Sequence, residues 1–345
     1  MRALYKHRAG TELAFDSTRP IPPVGPRDVL IRVKKTGICG TDRHIWEWDD
    51  WAASRIPVGI VTGHEFVGVI ESVGEAVKAY QPGQRVSAEG HITRGADYNS
   101  RTGNAHIARD TQIIGVDRDG AFADFLVMPE ENIWPVDDRI PDRFAATMDP
   151  LGNAVHTVMA ADVSAKTVLI SGVGIIGLMA VTVARAAGAA RIYCTDVNPR
   201  RLDLARRLGA AEAFDASEDD RWINQIRRET RGEGVDVLLE MSGSPAGLES
   251  GFGALRNGGT AALLGLLAKK PTFDLNKHVI FKGCTVLGVN GRRMFETWFQ
   301  MEELLLSGRL ELDEIVTHEF PLEHYDKAFE TMISGDGIKV LLTLD

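Results

Sequence analysis

The stretch SGVGIIG at residues 171–177 constrains the fold of this chain more than any other feature. It follows the apolar run TVLI and precedes the apolar run LMAVTVARAAG, so Gly172, Gly174 and Gly177 form a G-x-G-x-x-G turn between a buried strand and a helix. The first glycine permits a tight turn, the second lets a pyrophosphate approach the backbone, and the third allows close helix packing. The sequence therefore predicts a dinucleotide-binding unit built on a parallel sheet.

An acidic residue follows at the spacing that a dinucleotide site requires. Asp196 lies 19 residues after Gly177, at the end of the predicted strand RIYCTD. A carboxylate at this position accepts hydrogen bonds from the ribose hydroxyls and repels a 2′-phosphate, which favours NAD over NADP. Arg200 and Arg201 keep NADP open as an alternative, because a nearby guanidinium can bind the 2′-phosphate.

The remainder of the chain divides by its pattern of strands and helices. Short runs rich in Val and Ile, such as DVLIRVKKTGI and EFVGVIESVG, dominate the first part. From about residue 153 strands alternate with apolar helices, which indicates βαβ units. A helix over 294–308 and the final strand KVLLTLD are predicted to return to the first part. We expect an α/β protein with a β-rich domain at 1–152 and 294–345 and a doubly wound Rossmann domain at 153–293.

Bulk properties exclude several classes of protein. The net charge of −9 and the pI near 5.6 argue against nucleic acid as the main partner. No apolar run approaches the roughly 20 residues of a membrane-spanning helix. The three cysteines, Cys39, Cys194 and Cys284, are odd in number and widely spaced, which is typical of a reduced protein. We expect a cytoplasmic protein that acts on a small molecule.

Two short segments carry side chains that can bind a metal. TGICGTDRHIW contains Cys39, Thr41 and His44, and GHEFVG contains His64 and Glu65. Zinc accepts thiolate, imidazole and carboxylate ligands together, and a catalytic zinc keeps one position for the substrate. A single buried Cys or His is more often a packing residue. Both segments are glycine-flanked turns ahead of a nucleotide domain, which favours a site over packing.

Seven stretches together resemble the zinc-dependent, medium-chain alcohol dehydrogenase family. They are ICGTDRHIWEWDDW, TGHEFVGVI, PGQRVSAEGHIT, DPLGNAVHTV, SGVGIIG, TDVNPRRLDLARRLGA and GRRMFETWFQM. Within that family HIWEWDDW, EGHIT, DPLGNAVHT and MFETW are most similar to the bacterial enzymes that oxidise L-threonine at C3. The resemblance implies a GroES-like catalytic domain and hydride transfer from a secondary alcohol to NAD, with L-threonine giving 2-amino-3-oxobutanoate. It also implies a homotetramer.

The resemblance implies roles for residues of the first domain. Three match the ligands of one catalytic zinc, one matches an acidic residue near the metal, two match a proton relay from the substrate alcohol to solvent, and one lines the substrate side. In that order they are Cys39, His64 and Glu65; Asp149; Thr41 and His44; and His91.

The resemblance likewise implies a set of residues around NAD. Beyond the three glycines, they are Ile176, Asp196, Arg201, Leu264, Gly265, Leu266, Val289 and Asn290. The Val289–Asn290 pair departs from the aliphatic–aromatic pair expected beside the nicotinamide, so this part of the site matches the family less well.

Members of this family usually hold a second, structural zinc with four cysteines. The corresponding positions in this chain are Arg94, Asp97, Ser100 and Ala108, which supply no thiolate. A structural zinc site needs four closed ligands. We therefore expect no structural zinc, and we expect the lobe at 92–110 either to be held by packing and polar contacts or to be mobile.

Two alternatives to the threonine reaction stay open. The changed lobe and Val289–Asn290 are compatible with a related enzyme acting on a polyol, an amino-cyclitol or another 3-hydroxy amino acid. A non-catalytic, NAD-binding regulatory protein is the alternative of another class. The combination of Cys39, Thr41 and His44 argues against it, because a binding module has no use for a relay beside a metal site.

Overall fold

The computed structural model describes residues 1–217, 220–267 and 269–344, so the predicted segment 294–345 reaches one residue beyond the described ranges. The chain forms two compact units. One comprises Met1–Asp149 together with the residues from Val316 onward, and the other is Pro150–Ile315.

The strands of the described residues are, in chain order, β1 Ala3–Tyr5, β2 Ala14–Asp16, β3 Asp28–Gly37, β4 Glu65–Val73, β5 Arg85–Ala88, β6 His91–Ile92, β7 Gln112–Ile113, β8 Phe125–Pro129, β9 Ile133–Pro135, β10 Thr167–Ser171, β11 Arg191–Asp196, β12 Glu212–Asp215, β13 Val235–Glu240, β14 Leu255–Leu263, β15 Thr285–Gly288, β16 Val316–Pro321 and β17 Lys339–Thr343.

The α-helices are α1 Gly40–Glu47, α2 Asp50–Arg55, α3 Tyr98–Arg101, α4 Asp142–Ala145, α5 Met148–Ala161, α6 Ile175–Ala186, α7 Pro199–Leu208, α8 Arg221–Glu229, α9 Pro245–Ala254, α10 Glu296–Leu306 and α11 Tyr325–Ser334. Three short 3₁₀ turns and a π-helical turn at Asn276–Ile280 complete the helical structure of the described ranges. None of the helices in these ranges has the length and apolar character needed to cross a bilayer.

The first unit is built on a seven-stranded sheet. Its order is β16-β17-β3-β4-β5-β9, and β8 pairs with β3. Side chains alternate along the strands, as a sheet with one buried face requires. Ile31 and Val33 of β3 are buried in the core, whereas Arg32 between them is outside and pairs with Glu71 at 2.9 Å. The predicted β-rich domain is confirmed.

The second unit is a six-stranded sheet in which every pair of neighbours is parallel. Its order is β12-β11-β10-β13-β14-β15. The first strand of the unit, β10, is therefore central, and the chain turns back towards the opposite edge at β13. Ligands of such sheets bind at this switch point, outside the carboxyl ends of the strands. The predicted doubly wound Rossmann sheet is confirmed.

The division between the units differs from the predicted one. It falls at Pro150, inside helix α5, and residues 294–315 belong to the second unit rather than to the first. Trp298 of α10 is fully buried, and two ion pairs fasten the segment after this helix to the nucleotide unit. They are Arg185–Glu311 at 2.9 Å and Arg207–Glu314 at 2.7 Å. An amphipathic helix indicates that it packs on something, but its sequence does not say on which unit.

Polar contacts link the turns of the cysteine-free lobe in the first unit. One carboxylate oxygen of Asp97 accepts the backbone N–H of Ser100 at 2.8 Å, and the other accepts that of Arg109 at 2.9 Å. The Thr93 hydroxyl lies 3.2 Å from the Ser100 hydroxyl and donates to Asp110 at 3.3 Å. Asp97 thus joins two turns of the lobe, and it is one of the four positions that the resemblance assigns to ligands of a structural zinc.

Candidate functional site

Two turns of the first unit bring three potential metal ligands together. Cys39 immediately precedes α1, and His64 and Glu65 lie where β4 begins. The nearest ligand atoms of these three side chains all lie within 4.8 Å of one another. In the described ranges this is the one cluster of three or more Cys, His, Asp or Glu side chains with such spacing.

The cluster fits a divalent cation. His64 Nδ1 and Glu65 Oε1 are buried, and neither has a hydrogen-bond partner among the described residues. Burial lowers the pKa of His64, but the negative charges of Cys39 and Asp42 outweigh it and raise that pKa to about 10. Unsatisfied lone pairs and converging negative charge are what a cation would satisfy, and the thiolate–imidazole–carboxylate set suits zinc.

A buried lysine lies next to the carboxylate of Glu65. Lys339 of β17 forms an ion pair with Glu65 Oε2, and neither side chain is exposed to solvent. Its Nζ also donates to the carbonyl of Ile38 at 2.8 Å. Burial raises the pKa of Glu65, and the charge of Lys339 acts against this rise. Lys339 thus holds one oxygen of Glu65 while the other stays available to a metal.

The other predicted residues of the first unit surround this cluster. Thr41 Oγ1 lies 4.0 Å from Cys39 Sγ, and His44 follows one helical turn later on α1. The carboxylate of Asp149, in the first turn of α5, raises the pKa of both His64 and Glu65, so it adds negative charge to the cluster.

His91 is buried beside a second carboxylate. Its Nδ1 lies 2.7 Å from Glu89 Oε1, and its backbone N–H donates to the same oxygen at 3.0 Å. Glu89 is fully buried. The side-chain amide of Asn132 donates to the backbone carbonyls of both Glu89 and His91, each at 2.8 Å, and so fixes the backbone of this segment. This arrangement orients the His91 ring.

The glycine turn of the second unit has the predicted geometry. Gly172 has a φ of +86°, in the left-handed region that glycine tolerates. Gly174 precedes α6, and a Cβ built there would meet no atom within 4 Å. Gly177 packs so closely on the carbonyl of Gly172 that a side chain would overlap it. The three glycines therefore serve the turn, the open approach to the helix N-terminus and the close packing, in that order.

Asp196 lies beside this turn at the end of β11. Its two oxygens accept the backbone N–H groups of Val173 and Asn198, each at 2.9 Å. Arg201 Nη1 is 3.9 Å from Asp196 Oδ1. These residues border a crevice of about 760 Å³ at the switch point, which Gly172, Gly174, Asp196 and Arg201 line.

The remaining predicted cofactor residues lie at the same edge of the sheet without lining that crevice. Leu264, Gly265 and Leu266 follow β14, and Val289 and Asn290 follow β15, the strand beside it. Leu266 is 92% exposed, whereas Val289 is buried. Ile176 lies in the first turn of α6.

Sequence reasoning assigned no role to Lys339 or Asp49. Lys339 opens the otherwise apolar run KVLLTLD, and a lysine buried in such a strand requires a charged partner. Asp49 caps the N-terminus of the helix in DDWAASR, and its carboxylate lies 2.6 Å from the ring of His44. Its signal in the sequence was its helix-capping residue type.

A fold with a zinc-type ligand cluster in one unit and a dinucleotide crevice in the other defines a metal-dependent dehydrogenase. The chain matches the family model "Alcohol dehydrogenase GroES-like domain" over residues 25–138 and the model "Zinc-binding dehydrogenase" over residues 176–307.

Similar proteins extend over almost the whole chain. It is 47% identical to an L-threonine 3-dehydrogenase of Idiomarina loihiensis, over 94% of each protein. It is 45% identical to that of Deinococcus radiodurans, over 99% of this chain and 97% of the relative. A solved structure of an alcohol dehydrogenase from Thermus sp. ATN1 superposes with a TM-score of 0.89 at 29% identity, with 100% of both chains covered. The chain belongs to the zinc-dependent medium-chain alcohol dehydrogenase family.

Proposed function

We propose that this protein is an NAD-dependent dehydrogenase that oxidises the C3 hydroxyl of L-threonine to a ketone, giving 2-amino-3-oxobutanoate. The observation that carries the proposal is the convergence of Cys39, His64 and Glu65 on one point of the GroES-like unit. The names of the relatives at 47% and 45% identity support L-threonine as the substrate.

Cys39, His64 and Glu65 would hold one zinc ion. Zinc bound there would supply a Lewis acid that lowers the pKa of a substrate hydroxyl, and bound NAD would supply the hydride acceptor. The protein's own residues supply the charge balance and the path of the proton. Lys339 offsets the charge of Glu65 in the buried cluster. Asp149 adds a carboxylate that favours a cation there.

Thr41 and His44 are proposed to carry the substrate proton to solvent. Thr41 lies next to Cys39, and its hydroxyl can accept one proton while it donates another. The side chain of His44 is 56% exposed, so a proton on its ring can pass to water. Histidine suits this task because its usual pKa lies near the working pH. His91, oriented by Glu89, is proposed to line the substrate side.

Asp196 is proposed to select NAD. Its side chain is only 8% exposed, and a 2′-phosphate near it would meet a like charge. Arg201 supports the opposite choice, because a guanidinium 3.9 Å from Asp196 could bind a 2′-phosphate placed there. Asp196→Ala should therefore lower the ratio of kcat/KM with NAD to kcat/KM with NADP. An unchanged ratio would remove Asp196 from the selection.

Two further proposals concern metal content and assembly. One zinc per subunit is proposed, because Asp97 and its neighbours replace the four cysteines of the lobe. A homotetramer is proposed from dimers that join at β15, the edge strand of the Rossmann sheet. Elemental analysis of purified protein and of a Cys39→Ala variant measures the first. About one zinc in the former and none in the latter is expected.

Absorbance of NADH tests the function directly. The protein, stripped with a chelator and reloaded with zinc, is assayed with L-threonine and with a panel of polyols, amino-cyclitols and other 3-hydroxy amino acids. Turnover of L-threonine that requires zinc is expected. A higher kcat/KM on another alcohol would overturn the substrate, and NADH binding without turnover of any alcohol would indicate a regulatory protein.

A further inference from the structure

His44 has a carboxylate partner that the relay motif does not include. Its Nδ1 lies 2.6 Å from Oδ2 of Asp49, which precedes α2. The second oxygen of Asp49 accepts the backbone N–H of Ala52 at 2.9 Å and so caps that helix. The pKa of Asp49 is lowered, first by the Ala52 hydrogen bond and further by His44, so this side chain is a carboxylate at neutral pH.

Backbone hydrogen bonds fix the position of Asp49 relative to His44. The N–H groups of Trp48 and Asp49 both donate to the carbonyl of His44, at 2.9 and 3.4 Å. Trp48 has a φ of 56°, which turns the chain sharply between α1 and α2. The ring of Trp51 meets the imidazole edge-on, with 6.0 Å between centroids. The position of Asp49 relative to His44 is thus set by the turn that links them, five positions apart in the chain, and by ring packing.

A carboxylate can only accept, so the hydrogen that Asp49 binds must be on Nδ1 of His44. The neutral ring then carries its lone pair on Nε2, the nitrogen that must receive a proton in a relay. The imidazolium formed by that proton is stabilised by the carboxylate, which stays ionised. A ring with the hydrogen on Nε2 would have no lone pair to offer there.

We propose that Asp49 is a positioning residue that holds His44 in its Nδ1–H tautomer, so that Nε2 accepts the proton leaving the substrate hydroxyl and passes it to water. This inference rests on the proposed function for the origin of the proton. The tautomer itself does not depend on it.

Other charged groups on and around the two helices have their own partners. Arg43 pairs with Glu47 along α1 at 2.8 Å. Arg55 of α2 pairs with Asp117 at 2.8 Å. Lys6, which packs under α1, donates to the carbonyl of Ile45 at 2.7 Å. Asp50 is the remaining acid next to the pair, and its side chain makes none of the contacts described for Asp49.

Three substitutions separate the roles of Asp49. Asp49→Ser keeps a capping oxygen for α2 but is too short to reach His44. Asp49→Asn can cap with its carbonyl oxygen while its amide donates to Nδ1, which moves the ring hydrogen to Nε2. Asp50→Asn removes the same charge one residue away and serves as the matched control.

Kinetics provide the first readout. At neutral pH we expect Asp49→Asn to lower kcat/KM for L-threonine by roughly 10²-fold, the usual contribution of a general base, with KM for NAD and Tm close to wild type. Asp49→Ser should lose less, because a serine too short to reach the ring does not force its hydrogen onto Nε2. The Asp50→Asn variant should match wild type.

A double variant tests whether Asp49 acts through His44. If it does, Asp49→Asn adds no further loss in a His44→Ala background, because the group that it orients is absent. Losses that multiply in the double variant would overturn the proposal, and so would a single Asp49→Asn variant with wild-type kcat/KM.

Nitrogen-15 NMR of the imidazole reads the tautomer without turnover, with the His44 signals assigned by their loss in His44→Ala. Nδ1–H in the wild type and Nε2–H in Asp49→Asn are expected. Nε2–H in the wild type would overturn the proposal even in an active enzyme. An inactive wild type with the expected tautomers would instead contradict the proposed function alone.

Discussion

At the scale of single residues, Lys339 shows how a polar group is accommodated in a core. It lies on a strand whose other described residues are mostly buried and apolar, and its charge is matched by Glu65. A buried pair of this kind adds little net stability compared with apolar residues, but losing one partner leaves a buried charge uncompensated. The charge of Lys339 therefore offsets that of the buried Glu65 carboxylate, which is itself one of the three ligands of the cluster.

Replacing Lys339 by Met should lower the free energy of unfolding by about 3–5 kcal/mol, because Glu65 then stays buried without its counter-charge. Urea denaturation of the metal-free protein measures this. The control is Lys35→Met, which breaks the partly exposed Lys35–Glu319 pair on the same sheet. That change should amount to no more than about 1 kcal/mol. Equal losses in the two variants would contradict the role assigned to Lys339.

Replacing two glycines of the nucleotide turn by Ala should affect different properties, cofactor affinity in one case and stability in the other. Gly174 has a φ of −64°, and a Cβ added there would meet no atom of the protein, so Gly174→Ala should keep the wild-type Tm. The added methyl group would occupy the space of the cofactor phosphates, so NADH should bind about tenfold more weakly, a loss of about 1.4 kcal/mol. Gly172→Ala should lose at least about 1–2 kcal/mol of stability, because its φ is left-handed and Ser242 lies against it. Thermal melts and fluorescence titration separate the two effects. A Gly174→Ala variant with unchanged affinity would place the cofactor phosphates elsewhere.

At the scale of elements, hydrogen bonds accepted by one aspartate join two turns of the lobe. Asp97 is the capping residue of α3 and also receives the N–H of Arg109, twelve residues later. These bonds lower the pKa of Asp97, the bond from Arg109 first. A lowered pKa means that the stabilisation is present above the ordinary value near 3.8 and disappears as the pH falls through the lowered value.

Asp97→Ala should therefore loosen the lobe at neutral pH without affecting the rest of the unit. Faster hydrogen exchange and proteolytic cleavage within residues 94–111 are expected, and in the wild type the same change should appear only in acid. Arg101→Ala, on the exposed side of the same short helix, is the control and should behave as wild type. Added chelator should leave the wild-type lobe unchanged, and cleavage that a chelator accelerates would point to a metal.

At the scale of the whole molecule, an exposed apolar surface accompanies the edge of the Rossmann sheet. Val286 of β15 is 40% exposed, and Ile280 and Phe281 before it are 64% and 80% exposed. An unpaired edge strand with such neighbours favours pairing with another chain.

Val286→Glu combined with Phe281→Glu should shift the proposed tetramer towards smaller species, because each subunit would then bury two charges in the proposed interface at β15. Sedimentation velocity measures the shift, and Phe299→Glu, at a residue 65% exposed on α10, serves as the control. A double variant with the sedimentation coefficient of the wild type would place the subunit contact on another surface.

Much of this protein could be predicted from short stretches of sequence. The glycine turn with Asp196, and the strand and helix periods around it, determine the Rossmann unit because their geometry depends on near neighbours. Cys39 and the His64–Glu65 pair were recognisable because metal ligands are few in kind and lie in short turns. The cofactor choice, the assembly and the location in the cell stay predictions.

The tertiary structure alone decided the contacts between distant segments. It placed Lys339 against Glu65, with its second bond to Ile38 spanning 301 positions of the chain, and it assigned residues 294–315 to the nucleotide unit. It also closed Asp97 onto Arg109 where thiolates were missing. Local periodicity says which face of an element is buried, but the partner of that face depends on how all elements pack together. The sequence alone therefore identified the residues of the motifs. The side chains that orient those residues or balance their charge could be identified only from the tertiary structure.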